Sequence, residues 1–239
     1  MNDKDYEDFI STVSHELRTP LTSIRGFSET MLVSWDKLDD NSKKKFLKII
    51  VEQSNRLINL VENMLSVSKL QNTKETLIYK EIFIKPVIET VVSIVKTQYD
   101  DKKFDISISP NTLPILADKD KFEQILTNII ENAAKYGDTN STISIKTETI
   151  DNNVSIKITN TGIEIPKSDY EKIFTKFSRI DNPLTRKVQG SGLGLYITKN
   201  LVEKMGGKIF VQSENHTTTF EINLPASNIE CQARGKCSR

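Results

Sequence analysis

A histidine followed by a glutamate, with a threonine four residues on, is the group in this chain best suited to chemistry: Ser14-His15-Glu16-Leu17-Arg18-Thr19-Pro20-Leu21. A neutral imidazole attacks phosphorus through Nε2, and an adjacent carboxylate that takes the Nδ1 proton keeps it competent to do so. Glu16 supplies that carboxylate, and Thr19 shares a helical face with His15. Pro20 has no N–H to offer the carbonyl of Glu16, so a helix here is expected to bend beside the imidazole.

A second set of residues suits a nucleotide. Asn128 and Asn132 project from one side of a helix, followed by Lys135 and Tyr136; an amide oxygen suits Mg²⁺ and a lysine suits a phosphate. Asn160-Thr161-Gly162-Ile163-Glu164-Ile165-Pro166 follows an alternating strand, where a polar side chain can read a base edge. Ile173-Phe174-Thr175-Lys176-Phe177-Ser178-Arg179 ends a short amphipathic helix. Gly190-Ser191-Gly192-Leu193-Gly194 then precedes a helix, an arrangement that lets backbone N–H groups approach phosphates. This is not a dinucleotide fold, because no βαβ unit with an acidic residue about 20 positions later follows the glycines.

The elements that must hold these residues come in two styles. Apolar residues recur every three or four positions at Tyr6, Phe9, Ile10, Val13, Leu17, Leu21, Ile24, Phe27 and Met31, with His15 off the stripe and facing solvent or a docking partner. A second helix is expected from about Ser42 to Lys69, with Phe46, Ile50, Leu57, Leu60, Val61, Met64 and Leu65 on its apolar side. Joined by the polar Trp35–Asn41 segment, the two make an antiparallel hairpin whose seam a second copy would cover as a four-helix bundle. A homodimer is expected. Past the polar 71–75 segment the pattern changes. Strands are expected at Thr76–Ile82, Phe104–Ile108, Ile115–Ala117, Ser141–Ile150, Val154–Asn160, Lys208–Ser213 and Thr218–Leu224, with helices at Pro86–Tyr99 and Lys119–Tyr136. The fold class is therefore α+β, a helical hairpin followed by an α/β sandwich with a mixed sheet and helices on one face. The expected domains are residues 1–70 and 76–225, with a disordered tail over 226–239.

The 239 residues carry 33 Lys plus Arg against 32 Asp plus Glu, so no global field draws the protein to nucleic acid or an anionic membrane. No apolar run approaches the ~20 residues that span a bilayer, and the acidic start lacks the regions of a signal peptide. The expected setting is the cytoplasm, whether as a free protein or as the cytoplasmic part of a membrane-anchored sensor. Cys231 and Cys237 have no companions at metal-ligand spacing and read as free thiols.

The octapeptide resembles the H box of the sensor histidine kinases. The later blocks resemble, in order, the N, G1, F and G2 boxes of the ATP-binding domain that these kinases share with gyrase-type ATPases. The resemblance runs from about Phe9 to Pro225. It implies ATP and Mg²⁺ as cofactors, autophosphorylation of His15, and transfer of the phosphate to an aspartate on a response regulator receiver domain. A reverse duty is implied for Thr19, which would orient water for hydrolysis of the regulator's phosphoaspartate. Asn128 would hold Mg²⁺, and Asn132, Lys135 and Tyr136 would contact the nucleotide, with Asn160 and Gly162 at its base. Gly190, Gly192, Leu193 and Gly194 would form a lid over the phosphates, above Phe174 and Phe177, with Arg186 or Lys187 as lid cations. Thr218 or Thr219 would line the adenine pocket, Phe220 would be core, and His216 would be a surface residue.

Two G1 positions depart from the family pattern, which has Asp where this chain has Asn160 and Gly where it has Glu164. A bond to a charged carboxylate contributes about 1.5–3 kcal/mol against about 0.5–1.5 for a neutral one, so Asn160 is expected to lower affinity for adenine about tenfold. Glu164 is expected to strain a turn that requires positive φ. These departures keep a second reading open, a degenerate kinase serving as a dimeric binding or phosphatase module. A gyrase- or chaperone-type ATPase is disfavoured, because such proteins have no use for His-Glu-x-x-Thr-Pro on a dimerising helix.

Overall fold

The computed structural model describes residues 3–71, 76–180 and 190–227, which fall into two compact units, Met1–Lys69 and Leu70–Arg239.

The first unit is a helical hairpin. Helix α1 (Asp3–Ser34) continues through Pro20 without interruption, a 3-10 turn follows at Trp35–Lys37, and α2 (Asp40–Gln71) returns. The second helix begins before Ser42 because Asp39 caps it, its carboxylate accepting the Ser42 N–H at 2.6 Å. That bond is the main reason the Asp39 carboxyl is held below the usual carboxylate range. Two contacts set the antiparallel register: the Phe27 and Phe46 rings lie 5.1 Å apart, and Arg56 Nη2 meets the Glu16 carboxylate at 3.0 Å. These contacts are separated by about three helical turns on each helix. Met31 and Leu60 are buried, whereas Ile10 and Leu21 on the first stripe and Val61 and Leu65 on the second stay exposed.

The second unit runs β1 (Lys80–Ile82), α3 (Ile84–Gln98), β2 (Lys103–Ile108), β3 (Ile115–Ala117), α4 (Lys119–Tyr136), β4 (Thr142–Ile150), β5 (Asn153–Thr161), α5 (Gly194–Lys204), β6 (Lys208–Glu214) and β7 (Thr217–Pro225). The main sheet has the order β2-β4-β5-β7-β6, and its one parallel pair, β2 with β4, makes it mixed. A separate antiparallel pair joins β1 to β3. Alternation decides which face is core: Ile143, Ile145, Ile156, Ile158, Ile222 and Leu224 are buried on the side that the three helices pack against. Helix α4 supplies Phe122, Ile125, Leu126, Ile129, Ile130, Ala133 and Ala134, the three- and four-residue spacing of a buried helical face. Asp118 caps it, with one oxygen on the Lys121 N–H at 3.2 Å and the other on the Ile78 N–H at 2.9 Å. The tight β4–β5 and β6–β7 turns place Asp151, Asn152, Asn215 and His216 at φ between 46° and 64°, the left-handed pair that a two-residue hairpin loop needs.

Two local expectations differ from the structure. The segment before Thr175 is not an α-helix but two 3-10 turns, Lys167–Asp169 and Lys172–Phe174, closed by bonds three residues apart, including Asp169 N–H to Pro166 C=O and Thr175 N–H to Lys172 C=O. Ala226 and Ser227 are ordered: Ala226 pairs with Ile115 and is buried, and the Ser227 N–H bonds to the Pro114 carbonyl. The chain stays paired here because Ala226 has apolar surface to bury. Cys231 and Cys237 lie outside the described residues.

Candidate active-site residues

The α/β unit carries a pocket partly open to solvent, lined by Asn132, Tyr136, Asn160, Ile163, Ile165, Ile173, Ser178, Arg179, Ile180, Leu195, Thr218 and Phe220. Its geometry starts from a short zipper between the end of α4 and the segment after β5. Gly137 bridges to Gly162, the Ile163 N–H bonds to the Tyr136 carbonyl at 3.1 Å, and the Asp138 N–H bonds to Thr161 at 2.9 Å. This contact brings Asn132 and Tyr136 to the same cavity as Asn160. Gly162 is required by the close approach, since a Cβ there would lie 2.2 Å from the Tyr136 carbonyl oxygen. Burial pushes the Tyr136 phenol above its ordinary value, with the nearby Arg179 charge pulling the other way, so the hydroxyl stays protonated at neutral pH.

Asn160 and Thr218 are directly paired across β5 and β7. The Thr218 hydroxyl is held by the Ser213 hydroxyl at 2.7 Å and the Ile163 carbonyl at 3.4 Å, and the Ser213 hydroxyl also accepts the Ile165 N–H at 2.9 Å. Thr218 thus fixes the wall. Asn160 is different: it is 3% exposed, and its Nδ2 has no hydrogen-bond partner. Phe220 is buried and also lines the cavity, meeting Phe174 edge-on at 6.4 Å, so it is core and pocket wall together.

Other candidate residues stand outside this lining. Asn128 donates from Nδ2 to the Gly194 carbonyl at 3.4 Å and to the Thr198 hydroxyl at 3.3 Å, tying α4 to the first turn of α5. A Cβ at Gly194 would come within 3.5 Å of Asn128 Oδ1. Lys135 pairs with Glu131 at 3.1 Å along its own helix. Of the three glycines only Gly192 is forced: at φ 67°, a Cβ there would meet the Phe177 backbone at 2.7 Å, whereas Gly190 faces open space. Phe177 itself sits at φ 57°. Leu193 is fully buried ahead of α5. Arg186 and Lys187 lie outside the described residues.

The strain expected at Glu164 is absent. Residue 164 does not take positive φ, and its carboxylate accepts the His216 N–H. The conformational demand falls on Gly162 instead, because that is where the strand end meets α4. His216 Nε2 lies 2.8 Å from Asp138 Oδ2 in an exposed pair.

In the hairpin unit His15 is exposed on α1. The Thr19 hydroxyl donates to the His15 carbonyl at 3.3 Å, and the Glu16 carboxylate is engaged across the hairpin by Arg56. Sequence reasoning assigned no role to Arg56, Ser178, Arg179, Ile180 or Leu195. The alternation of Ile163 and Ile165 about Glu164 is a signal by which those two wall residues are recognisable. Arg56 had none, since its partner is 40 residues away.

A mixed α/β unit with this strand order and cavity, following a helical hairpin that exposes a histidine, has the architecture of a histidine kinase core. Residues 5–73 match the family model described as the His Kinase A (phospho-acceptor) domain, and residues 117–228 match that of the histidine kinase-, DNA gyrase B- and HSP90-like ATPases. The chain is 37% identical over 215 residues to the signal transduction histidine-protein kinase ArlS of Staphylococcus haemolyticus, covering 90% of this chain and 47% of that protein. It is 35% identical over 231 residues to the sensor protein kinase WalK of Staphylococcus aureus, covering 95% of this chain and 55% of that protein. The chain thus spans about half the length of these curated relatives. Among solved structures it resembles histidine kinase ThkA in complex with response regulator protein TrrA, at TM-score 0.74 and 28% identity, over 92% of this chain and 61% of that one. It also resembles Acinetobacter baumannii histidine kinase AdeS, at TM-score 0.71 and 25% identity, over 90% of this chain and 98% of that one. The chain belongs to the sensor histidine kinases of two-component systems.

Proposed function

We propose that ATP bound in the α/β unit donates its γ-phosphoryl group to His15, and that the phosphate then passes to an aspartate on a response regulator receiver domain. The observation that carries this reading is the presence, in one chain, of an exposed histidine in a phospho-acceptor helix and a largely apolar pocket bordered by Asn132, Tyr136 and Asn160. In the first step Nε2 of His15 forms a bond to the γ-phosphorus, the bond from that phosphorus to the bridging oxygen breaks, and ADP leaves. The Nδ1 proton passes to Glu16, so the carboxylate must be shared with or released by Arg56. Catalysis of such transfers is mainly positioning and neutralisation of charge.

The apolar walls and Asn160 suit a purine, Asn132 and Tyr136 border the same cavity, and Thr218 is set beside the base. Asn128 fits a magnesium ion: its Nδ2 is engaged by Gly194 and Thr198, which leaves Oδ1 to coordinate, and the glycine at 194 keeps that oxygen uncrowded. One protein oxygen with phosphates and waters completing the shell is usual for Mg²⁺, which would neutralise phosphate charge. Lys135, Gly162, Gly190, Gly192, Leu193, Gly194 and Arg186 complete the proposed nucleotide contacts. The chain acts as a homodimer, since α1 and α2 leave Ile10, Leu21, Val61 and Leu65 exposed in a single copy. Thr19 orients water for dephosphorylation of the regulator. No helix among the described residues is long and apolar enough to cross a membrane, and we place this segment in the cytoplasm.

The alternative of a degenerate kinase rested on Asn160 and Glu164, and the unstrained backbone at Glu164 removes half of its basis. Incubation with γ-labelled ATP and Mg²⁺ tests the reading. The label should be acid-labile and base-stable, as a phosphohistidine is. An acid-stable label, or none, would overturn autophosphorylation.

A further inference from the structure

We infer that Glu164, His216 and Asp138 form a surface clamp that holds three walls of the pocket in place, and that Glu164 is thereby a positioning residue for the nucleotide. This rests on the nucleotide reading above. His216 is the junction. Its backbone N–H donates to the Glu164 carboxylate, its carbonyl accepts the Gly162 N–H at 2.9 Å, and its ring Nε2 donates to Asp138 Oδ2 at 2.8 Å. The three residues come from the segment after β5, the β6–β7 turn and the segment after α4. Each lies within two positions of the pocket lining: Glu164 between Ile163 and Ile165, His216 two before Thr218, and Asp138 two after Tyr136.

Asp138 is a firm anchor. Its N–H donates to the Thr161 carbonyl at 2.9 Å, and its own carbonyl accepts the buried Lys102 ammonium at 2.9 Å and the Ser141 N–H at 3.1 Å. Asn215 and His216 sit at φ 50° and 60°, so the turn is tight and a shift at His216 passes directly to Thr218. The glycine that the family pattern has at position 164 offers no group to take the His216 N–H. The residue that departs from the pattern therefore supplies a tie of its own. The Glu164, His216 and Asp138 side chains are all exposed, so their bonds add little global stability. Their consequence is position: they restrict movement of the walls before a nucleotide arrives, which lowers the ordering cost of binding.

Calorimetric titration of the full chain with ATP, together with the ATP dependence of labelling, tests the inference in Glu164→Gly, Glu164→Gln and Asp138→Ala. Glu164→Gly should weaken ATP binding and raise the apparent KM by about three- to tenfold, the loss of one net hydrogen bond, with the labelling rate at saturating ATP and the Tm unchanged. Glu164→Gln should stay within about twofold of the unmodified chain, since its amide oxygen still accepts the His216 N–H. Asp138→Ala removes the ring contact without altering residue 216. It should weaken binding by about two- to fivefold, and it keeps the test decisive if the glycine variant misfolds. Unchanged or tighter ATP binding in Glu164→Gly overturns the inference and leaves the ATP reading standing. A lower labelling rate with unchanged KM, or a glutamine variant as weak as the glycine one, also overturns it. An unmodified chain that binds no ATP overturns both.

Discussion

The helical hairpin and the α/β unit dispose of their apolar residues in opposite ways. In the α/β unit Phe122, Ile125, Ile129, Ile145, Ile156, Ile158 and Ile222 are completely buried, and α3, α4 and α5 close over one face of the sheet. In the hairpin Leu65 is 56% exposed and Val33 85%, and the long apolar seam is covered only in part. Two helices have a single mutual contact line, whereas a five-stranded sheet offers three helices a continuous surface. The α/β unit is therefore complete as a folding unit, while the hairpin needs a second surface. The chemistry divides along the same line. His15, the proposed phosphate acceptor, sits on the incomplete unit, and the proposed nucleotide pocket sits on the complete one.

The sharpest way to break this division is His15→Gln. It should abolish labelling by ATP, a loss beyond about 10³-fold, while ATP affinity and dimerisation stay unchanged, because the side chain is solvent-exposed in its own unit. Residual label on the variant would show that another residue accepts the phosphate.

A pair of alanine substitutions tests the contrast in packing. Ile129→Ala removes a fully buried side chain and should destabilise the α/β unit by about 2–5 kcal/mol in thermal or chemical denaturation. Leu65→Ala should leave that unit untouched and lower the dimer's resistance to dilution, measured by sedimentation. If Leu65→Ala dissociates no dimer, the exposed seam is not the interface.

Within the hairpin, Thr19→Ala should reduce dephosphorylation of the regulator by more than about tenfold, with labelling of His15 changed much less, since among the described residues the hydroxyl bonds to its own helix. Equal losses in the two assays would mean a damaged helix and no separate role. The smallest effect is expected at Arg56→Ala. The Arg56–Glu16 pair is partly exposed, with both side chains at 21%, and its removal should cost at most about 1 kcal/mol of hairpin stability. Because the same change frees Glu16, its labelling rate reports whether the carboxylate serves His15.

The elements were legible where local signals agreed. The three- and four-residue apolar spacing placed α1, α2 and α4, and the Asp151-Asn152-Asn153 stretch left between two expected strands falls at the β4–β5 turn, where Asp151 and Asn152 take positive φ. Short-range capping moved boundaries instead. Asp39 started α2 earlier than expected, and the 3-10 turns before Thr175 formed where an amphipathic helix was expected. Of the nucleotide candidates, Asn132, Tyr136, Asn160 and Thr218 come to one cavity, while Lys135 stays with Glu131 and Asn128 turns to α5. Spacing along a helix says which side chains share a face, and it is silent on which long-range partner each one meets.

By itself the sequence determined the helical and strand periodicities, the division into a histidine-bearing helical unit and a glycine-bearing α/β unit, and the family, because these depend on residues close together along the chain. Only the tertiary structure decided that Glu164 carries no backbone strain and that Gly162 does the close approach. It also decided that Arg56 holds Glu16, and that the buried Nδ2 of Asn160 meets no hydrogen-bond partner among the described residues. Each of these depends on groups from separate strands, helices and turns meeting at hydrogen-bond distance, and that meeting is fixed by packing and register rather than by local preference.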